Sequence, residues 1–184
     1  MRKLTTQEMD RLNTTDYHNV KKLPAIVVLD NVRSLSNVGA FFRTADAFRI
    51  EAIYLCGITA CPPHREIHKT ALGADESVDW KYFETTAQAC EHLKSMNYRI
   101  FAVEQVEDSI KLDDFEVTEK SAYIFGNEVD GVDDTVLPYC EQAVEIPQEG
   151  TKHSLNVSVT GGIIMYHIFK NLWKKNKIKF LSFM

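Results

Sequence analysis

Residues 25–30 read AIVVLD, five apolar positions in a row and then an aspartate. A strand with one face in water alternates apolar and polar side chains, so an unbroken run of this kind must be covered on both faces. Similar segments recur as AIYLCG (52–57), RIFAVEQV (99–106), SAYIFG (121–126) and QAVEIP (142–147), while SVDWKYF (77–83) shows some alternation. Helical patterns fill the gaps. NVGAFFRTADAF (37–48), HREIHKTAL (64–72) and TAQACEHLKSM (86–96) read as helices, the last capped by Thr85 or Thr86. DDTVLPYC (133–140) reads as a brief helix, TTQEMDRLN (5–13) as an N-terminal one capped by Thr5 or Thr6, and a final helix runs from about 156 to 175. Strands alternating with helices predict an α/β domain, a mostly parallel sheet with helices on both faces.

A chain of 184 residues, 45% hydrophobic, suits one domain with a real core. We divide it into an N-terminal helical extension (1–23), a core (24–170) and a basic tail (171–184). No repeat or low-complexity segment interrupts it. The first residues carry no apolar stretch of the signal-peptide kind, and no run is long enough to span a bilayer. Four scattered cysteines fit reduced thiols rather than a disulfide framework, so a cytoplasmic setting is expected. The net charge of −5 argues mildly against a nucleic-acid partner, but a local patch suffices, and KNLWKKNKIKF (170–180) is locally basic.

In parallel sheets, ligands sit beyond the carboxyl ends of the strands. Three polar loops leave strands there: DNVRSLSNVGAFFR (30–43), GNEVDG (126–131) and PQEGTKHSLN (147–156). None carries G-x-G-x-x-G, which lowers the weight of an ordinary dinucleotide fold, and none carries a P-loop or G-x-S-x-G, which removes the NTPase and α/β-hydrolase readings. The third loop runs into HSLNVSV (153–159), where Ser and Asn sit among apolar residues at the mouth of the last helix. Such side chains satisfy free N–H groups at a helix start, and they also suit a ligand loop.

Taken together, the loops resemble the motifs of the SpoU/TrmH family of RNA ribose methyltransferases, in the SPOUT superfamily. N-x-G-x-x-x-R-x-A stands here as Asn37 to Ala45, F-G-x-E-x-x-G as Phe125 to Gly131, and I-P-x-x-G followed by S-L-N-V-S-V as Ile146 to Gly150 and Ser154 to Val159. The chain departs from the family at Thr160, where Ala is usual, and at His167, where Glu is usual. The resemblance covers roughly residues 24 to 170 and implies a C-terminal trefoil knot formed by the second and third loops. It also implies S-adenosylmethionine as cofactor, a homodimer packed through terminal helices, and tRNA or rRNA as substrate, methylated on a ribose 2′-hydroxyl. The extra N-terminal RNA-binding domain of some relatives is not expected.

Under that resemblance the cofactor-binding candidates are Gln105, Gly126, Asn127, Gly131, Ile146 and Leu155, and the catalytic candidates Asn37, Arg43, Glu128, Ser154 and Asn156. Gly126, Gly131 and Gly150 would allow close backbone approach or a left-handed backbone, or simply make turns. Arg43 matches the family's catalytic arginine; its guanidinium suits phosphate binding and oxyanion stabilisation better than proton removal. Asn37 would orient Arg43 or RNA, or cap the helix; Glu128 would hold Arg43 or the Asn37 loop. Gly161-Gly162 inside the last helix implies close helix packing, in the dimer or the knot. Cys56, Cys61, His64 and His68 offer zinc-ligand types, but their spacing differs from that of usual zinc pairs, so no metal is expected and PPHREIHKT (62–70) reads as a basic substrate loop. Two other readings compete: a non-catalytic RNA-binding or ribosome-assembly factor of the same fold, and an adenosine-cofactor enzyme acting on a small molecule.

Overall fold

The computed structural model describes residues 1–181 apart from Thr6, Asp10 and Glu119, with side chains described as far as Leu172. Strands β1 (Leu23–Asp30), β2 (Ile50–Cys56), β3 (Trp80–Phe83), β4 (Arg99–Val103), β5 (Ile110–Lys111), β6 (Ser121–Phe125) and β7 (Gln142–Glu145) form one sheet in the order β3-β2-β1-β6-β4-β7-β5. Every pairing in it is parallel. The helices are α1 (Thr14–Asn19), α2 (Leu35–Ala47), α3 (Arg65–Ala71), α4 (Ala74–Ser77), α5 (Thr86–Ser95) and α6 (Val157–Leu181).

Alternation along β1 explains why both of its faces are apolar. Val27 and Leu29 join Phe41, Phe42, Ile164 and Ile168 in one core, between the sheet and α2 and α6. Ile26 and Val28 join Ala89 and Leu93 of α5 in the other. Helices therefore cover both faces, as the unbroken apolar runs require. Because β6 lies between β1 and β4, the loops leaving β1, β4, β6 and β7 gather at one carboxyl edge.

Local signals account for most boundaries. Ser34 rather than Asn37 caps α2, its side chain accepting from the Asn37 N–H, which frees the Asn37 amide for another use. Thr85 caps α5 through the N–H of Gln88. Near the N-terminus the described residues form a 3₁₀ turn (Gln7–Met9), held by a reciprocal pair: the Thr5 N–H donates to Glu8 Oε2 at 2.8 Å and the Glu8 N–H to Thr5 Oγ1 at 3.4 Å. The helix that follows it, α1, was not expected and is anchored by buried Tyr17. The last helix continues past 175 to Leu181, and Leu172 is buried in the core.

Two adjacent glycines in α6 do opposite things. A Cβ on Gly161 would lie 2.2 Å from Phe41 Cε1, so α6 rides against a fully buried ring that itself packs edge-on against Phe125 at 5.1 Å. The close packing expected of this pair is thus met within the chain at Gly161. A Cβ on Gly162 would meet nothing within 4 Å. Gly161→Ala is therefore expected to cost about 1–3 kcal/mol from overpacking, only partly offset by helix propensity. Gly162→Ala should gain up to about 1 kcal/mol. Thermal melts of the two variants test this; shifts of the same sign would contradict the packing.

Candidate active site

A cavity of about 570 Å³ opens at the carboxyl edge between β4, β6 and β7, within the range of small-molecule sites. Its walls are loops: Glu104 and Gln105 after β4, Gly126 to Val132 after β6, and Ile146 with Ser154 to Asn156 between β7 and α6. Gln105, Gly126, Asn127, Glu128, Gly131, Ile146, Ser154, Leu155 and Asn156 all line it. Ile146 and Leu155 supply apolar wall, and polar side chains such as Gln105, Asn127, Ser154 and Asn156 line the rest.

One carboxylate ties two loops together, and Asn37 extends the tie to a third. Glu128 Oε1 accepts from Asn37 Nδ2 at 2.8 Å and from the Ser34 N–H at 3.2 Å, and Oε2 accepts from the Arg33 N–H at 3.2 Å. Partial burial alone would raise the Glu128 carboxyl, but the Asn37 amide and the backbone donors outweigh it and hold it below the ordinary glutamate value. Asn37, buried on α2, passes the chain on: its Oδ1 accepts from Asn156 Nδ2 at 3.2 Å. Asn156 at the same time accepts the Ser158 N–H on Oδ1 at 2.9 Å, capping α6. Cap and pocket residue coincide in this one side chain. Glu128 holds the Asn37 loop and not Arg43.

The glycines divide by function. Gly131 has φ +73°, and a Cβ there would lie 2.3 Å from Glu104 Oε2. A Cβ on Gly126 would lie 1.9 Å from the Gly131 carbonyl carbon, so this glycine lets the 126–131 turn close on itself, where Asn127 and Gly131 exchange backbone hydrogen bonds. Gly150 has neither constraint. Asn127 closes the turn between them, accepting the N–H groups of Val129 and Asp130 at 2.8 and 2.9 Å.

Two carboxylates that the sequence did not single out complete the frame. Glu104 accepts from the Val132 N–H at 3.1 Å and the Gln105 N–H at 2.9 Å, which ties the end of β4 to the residue that follows the 126–131 turn. Gln105 itself reaches across the cavity mouth, its Nε2 donating to the His153 carbonyl at 3.2 Å. Asp30, 1% exposed at the end of β1, accepts from Thr86 Oγ1 at 2.5 Å and from the Asp133 N–H at 2.9 Å. Its signal was the aspartate closing an otherwise apolar run, since a buried carboxylate requires donors.

Arg43 stands apart. It is exposed on α2, does not line the cavity, and makes no hydrogen bond or ion pair with another described residue. Its six-residue separation from Asn37 places it on another side of the helix. The zinc-type residues do not converge either. Cys56 is buried in β2, His64 caps α3 by accepting the Glu66 N–H at 3.2 Å, and His68 bonds Asp75 at 3.1 Å. Among the described residues no group of three or more His, Cys, Asp or Glu could hold a metal. His167 meets the Phe115 carbonyl at 3.4 Å.

An all-parallel seven-stranded sheet with a loop-walled cavity at its carboxyl edge is an α/β architecture shared with solved structures. The crystal structure of a TrmH/SpoU tRNA modifying enzyme from A. aeolicus superposes with a TM-score of 0.79 at 24% identity, over 89% of this chain and 84% of that one. The SpoU methyltransferase AviRb from Streptomyces viridochromogenes, crystallised with AdoMet, gives 0.77 at 20% identity, over 86% and 64%. The sequence carries the assignment further: residues 24–166 match the SpoU rRNA Methylase family, and the chain belongs to it. It is 28% identical over 159 residues to the 23S rRNA (guanosine-2′-O-)-methyltransferase RlmB of Neisseria meningitidis, spanning 86% of this chain and 63% of that protein. It is 27% identical to the tRNA (guanosine(18)-2′-O)-methyltransferase of Escherichia coli, over 84% and 69%.

The depressed Glu128 carboxyl gives a signed pH prediction. Its contribution is fully present above the unfolded pKa and is lost as pH falls through the lower folded one. The side-chain amide resonances of Asn37 and Asn156 should therefore titrate together, with a midpoint below that of a free glutamate. Glu128→Gln should abolish the titration and cost about 1–2 kcal/mol, at the low end because the carboxylate is solvent-exposed. A midpoint at or above the ordinary value would contradict the network.

Proposed function

We propose that the chain transfers a methyl group from S-adenosylmethionine to a ribose 2′-hydroxyl of tRNA or rRNA. The single observation that carries the proposal is the cavity, in which loops 91 and 119 residues distant from Asn37 meet through Glu128 and Asn156. The names of the rRNA- and tRNA-acting relatives and the AdoMet in the AviRb crystals support it. Backbone lining around Gly126, apolar Ile146 and Leu155, and a volume of about 570 Å³ fit a nucleoside-bearing cofactor. When bound, S-adenosylmethionine supplies an activated methyl group.

The chain's own residues do the rest. Gln105, Gly126, Asn127, Gly131, Ile146 and Leu155 hold the cofactor. Ser154 and Asn156 line the side open to substrate and orient the ribose, with Asn37 and Glu128 fixing Asn156 from behind. Arg43 binds an RNA phosphate and stabilises the negative charge that develops on the 2′-oxygen. In this reading the loops after β6 and β7 form a trefoil knot.

A homodimer supplies what one copy lacks. Val159, Ile163 and Tyr166 leave an exposed apolar stripe on α6 at helical spacing. A two-fold partner on that stripe buries it and brings a second set of basic residues beside each cavity, Arg43 included. No described helix is long and apolar enough to cross a membrane, and all four cysteines are free, in keeping with work in the cytoplasm.

Calorimetry with S-adenosylmethionine should show saturable binding, and Arg43→Ala should keep that binding while losing at least about a hundredfold in turnover on RNA. Arg43→Lys should recover little, because an ammonium lacks the planar fork. Absence of binding by the wild type would overturn the proposal; near wild-type turnover of Arg43→Ala would remove Arg43 from it.

A further inference from the structure

A second cavity, of about 520 Å³, lies at the opposite half of the sheet, between α3, α4 and the edge strand β3. Its wall includes Trp80, which remains 38% exposed. Trp80 and Tyr82 pair with Ile53 and Leu55 in register, so both rings project on the α2 face of the sheet, and Tyr82 is 45% exposed. Two large aromatic rings side by side on an edge strand are costly to leave in water unless something covers them.

The polar groups around Trp80 narrow what that is. His64 accepts the Glu66 N–H on Nδ1, so its proton sits on Nε2 and that nitrogen is a donor. The Asp75 carboxylate, with its side chain 5% exposed, takes both of its contacts from His68 Nδ1 at 3.1 Å and is thereby occupied. Arg65 lines the cavity with no hydrogen bond or ion pair to another described residue. Glu76 is exposed at its wall. An indole face, a guanidinium and one imidazole donor together suit a base and its phosphate: the ring stacks, and the guanidinium and the imidazole N–H hold the anion. An apolar peptide would instead bury Arg65 and Glu76 without partners.

We propose that this cavity binds an unpaired nucleotide of RNA, its base stacked on Trp80 and its phosphate held by Arg65 and His64. The proposal rests on the RNA reading above and adds a contact outside the methyl-transfer cavity. Glu76 accepts from exocyclic amino groups, so adenine, guanine and cytosine are favoured over uracil.

The test uses the full chain with Trp173→Phe, which leaves Trp80 as its one tryptophan of two. Titration with single-stranded oligoadenylate of about ten nucleotides should quench Trp80 emission saturably, and oligouridylate should bind more weakly. By anisotropy of labelled oligoadenylate, Trp80→Ala and Arg65→Ala should each lose about tenfold in affinity, and Trp80→Phe should restore most of it. Calorimetry with S-adenosylmethionine on the same variants should be unchanged, which shows that the fold and first cavity are intact. No quenching, or full affinity in Trp80→Ala, overturns the proposal, as does Trp80 emission that changes with protein concentration alone, the mark of edge pairing with a second copy. A wild type that quenches with oligoadenylate but does not bind S-adenosylmethionine leaves this site standing and removes the methyl-transfer reading.

Discussion

The Glu128 carboxylate is the joint on which the cavity depends. Through it the loop after β6 holds the loop after β1, and through Asn37 that loop holds the start of α6. Val32, Val38 and Val132 anchor these segments in the cores, and the side-chain hydrogen bonds then set how the polar stretches between them face one another. Charge makes the joint effective: a carboxylate accepting from an amide and two peptide N–H groups forms stronger bonds than a neutral acceptor would. Glu104 and Asp30 do similar work on the far side, each carboxylate bonding a backbone N–H of the 131–133 segment. Carboxylates thus add to hydrophobic anchoring along the carboxyl edge.

The sheet beneath was legible because its physics is local and repetitive. Runs such as 25–30 and 121–126 can only be doubly covered strands, and the helices between them announce themselves by period and by caps such as Thr85. What escaped was short. The two-residue β5 and the four-residue α4 exist because neighbours hold them, and no periodicity can be read from so few residues. Asn37 misled as a possible cap because Ser34, three residues earlier, does that job equally well.

At the site, residue types and their order pointed to Asn37, Glu128 and Asn156, but only the fold shows that they bond one another. Glu104 and Asp30 were hidden because each sits at the end of an apolar run, where an acidic residue reads as the start of a loop. Gly126 and Gly131 were read as ligand-approach or turn positions; they close one turn at the cavity wall, Gly131 with a left-handed backbone, and what the sequence did not show is that Gly131 also makes room for Glu104. Arg43 shows the reverse limit, since a motif match gave it a role that its own chain's cavity does not display. That separation is what a two-fold assembly, or an RNA draped over α2, would reconcile.

The most direct measurement of the central claim is chemical. RNA incubated with the protein and S-adenosylmethionine carrying an isotopically labelled methyl group would be digested to nucleosides and resolved by mass spectrometry. The account predicts label on 2′-O-methylated nucleosides, carried by the ribose fragment, and none when Glu128→Ala and Asn156→Ala are combined. Label on the base fragment, or label undiminished in that double variant, would contradict it.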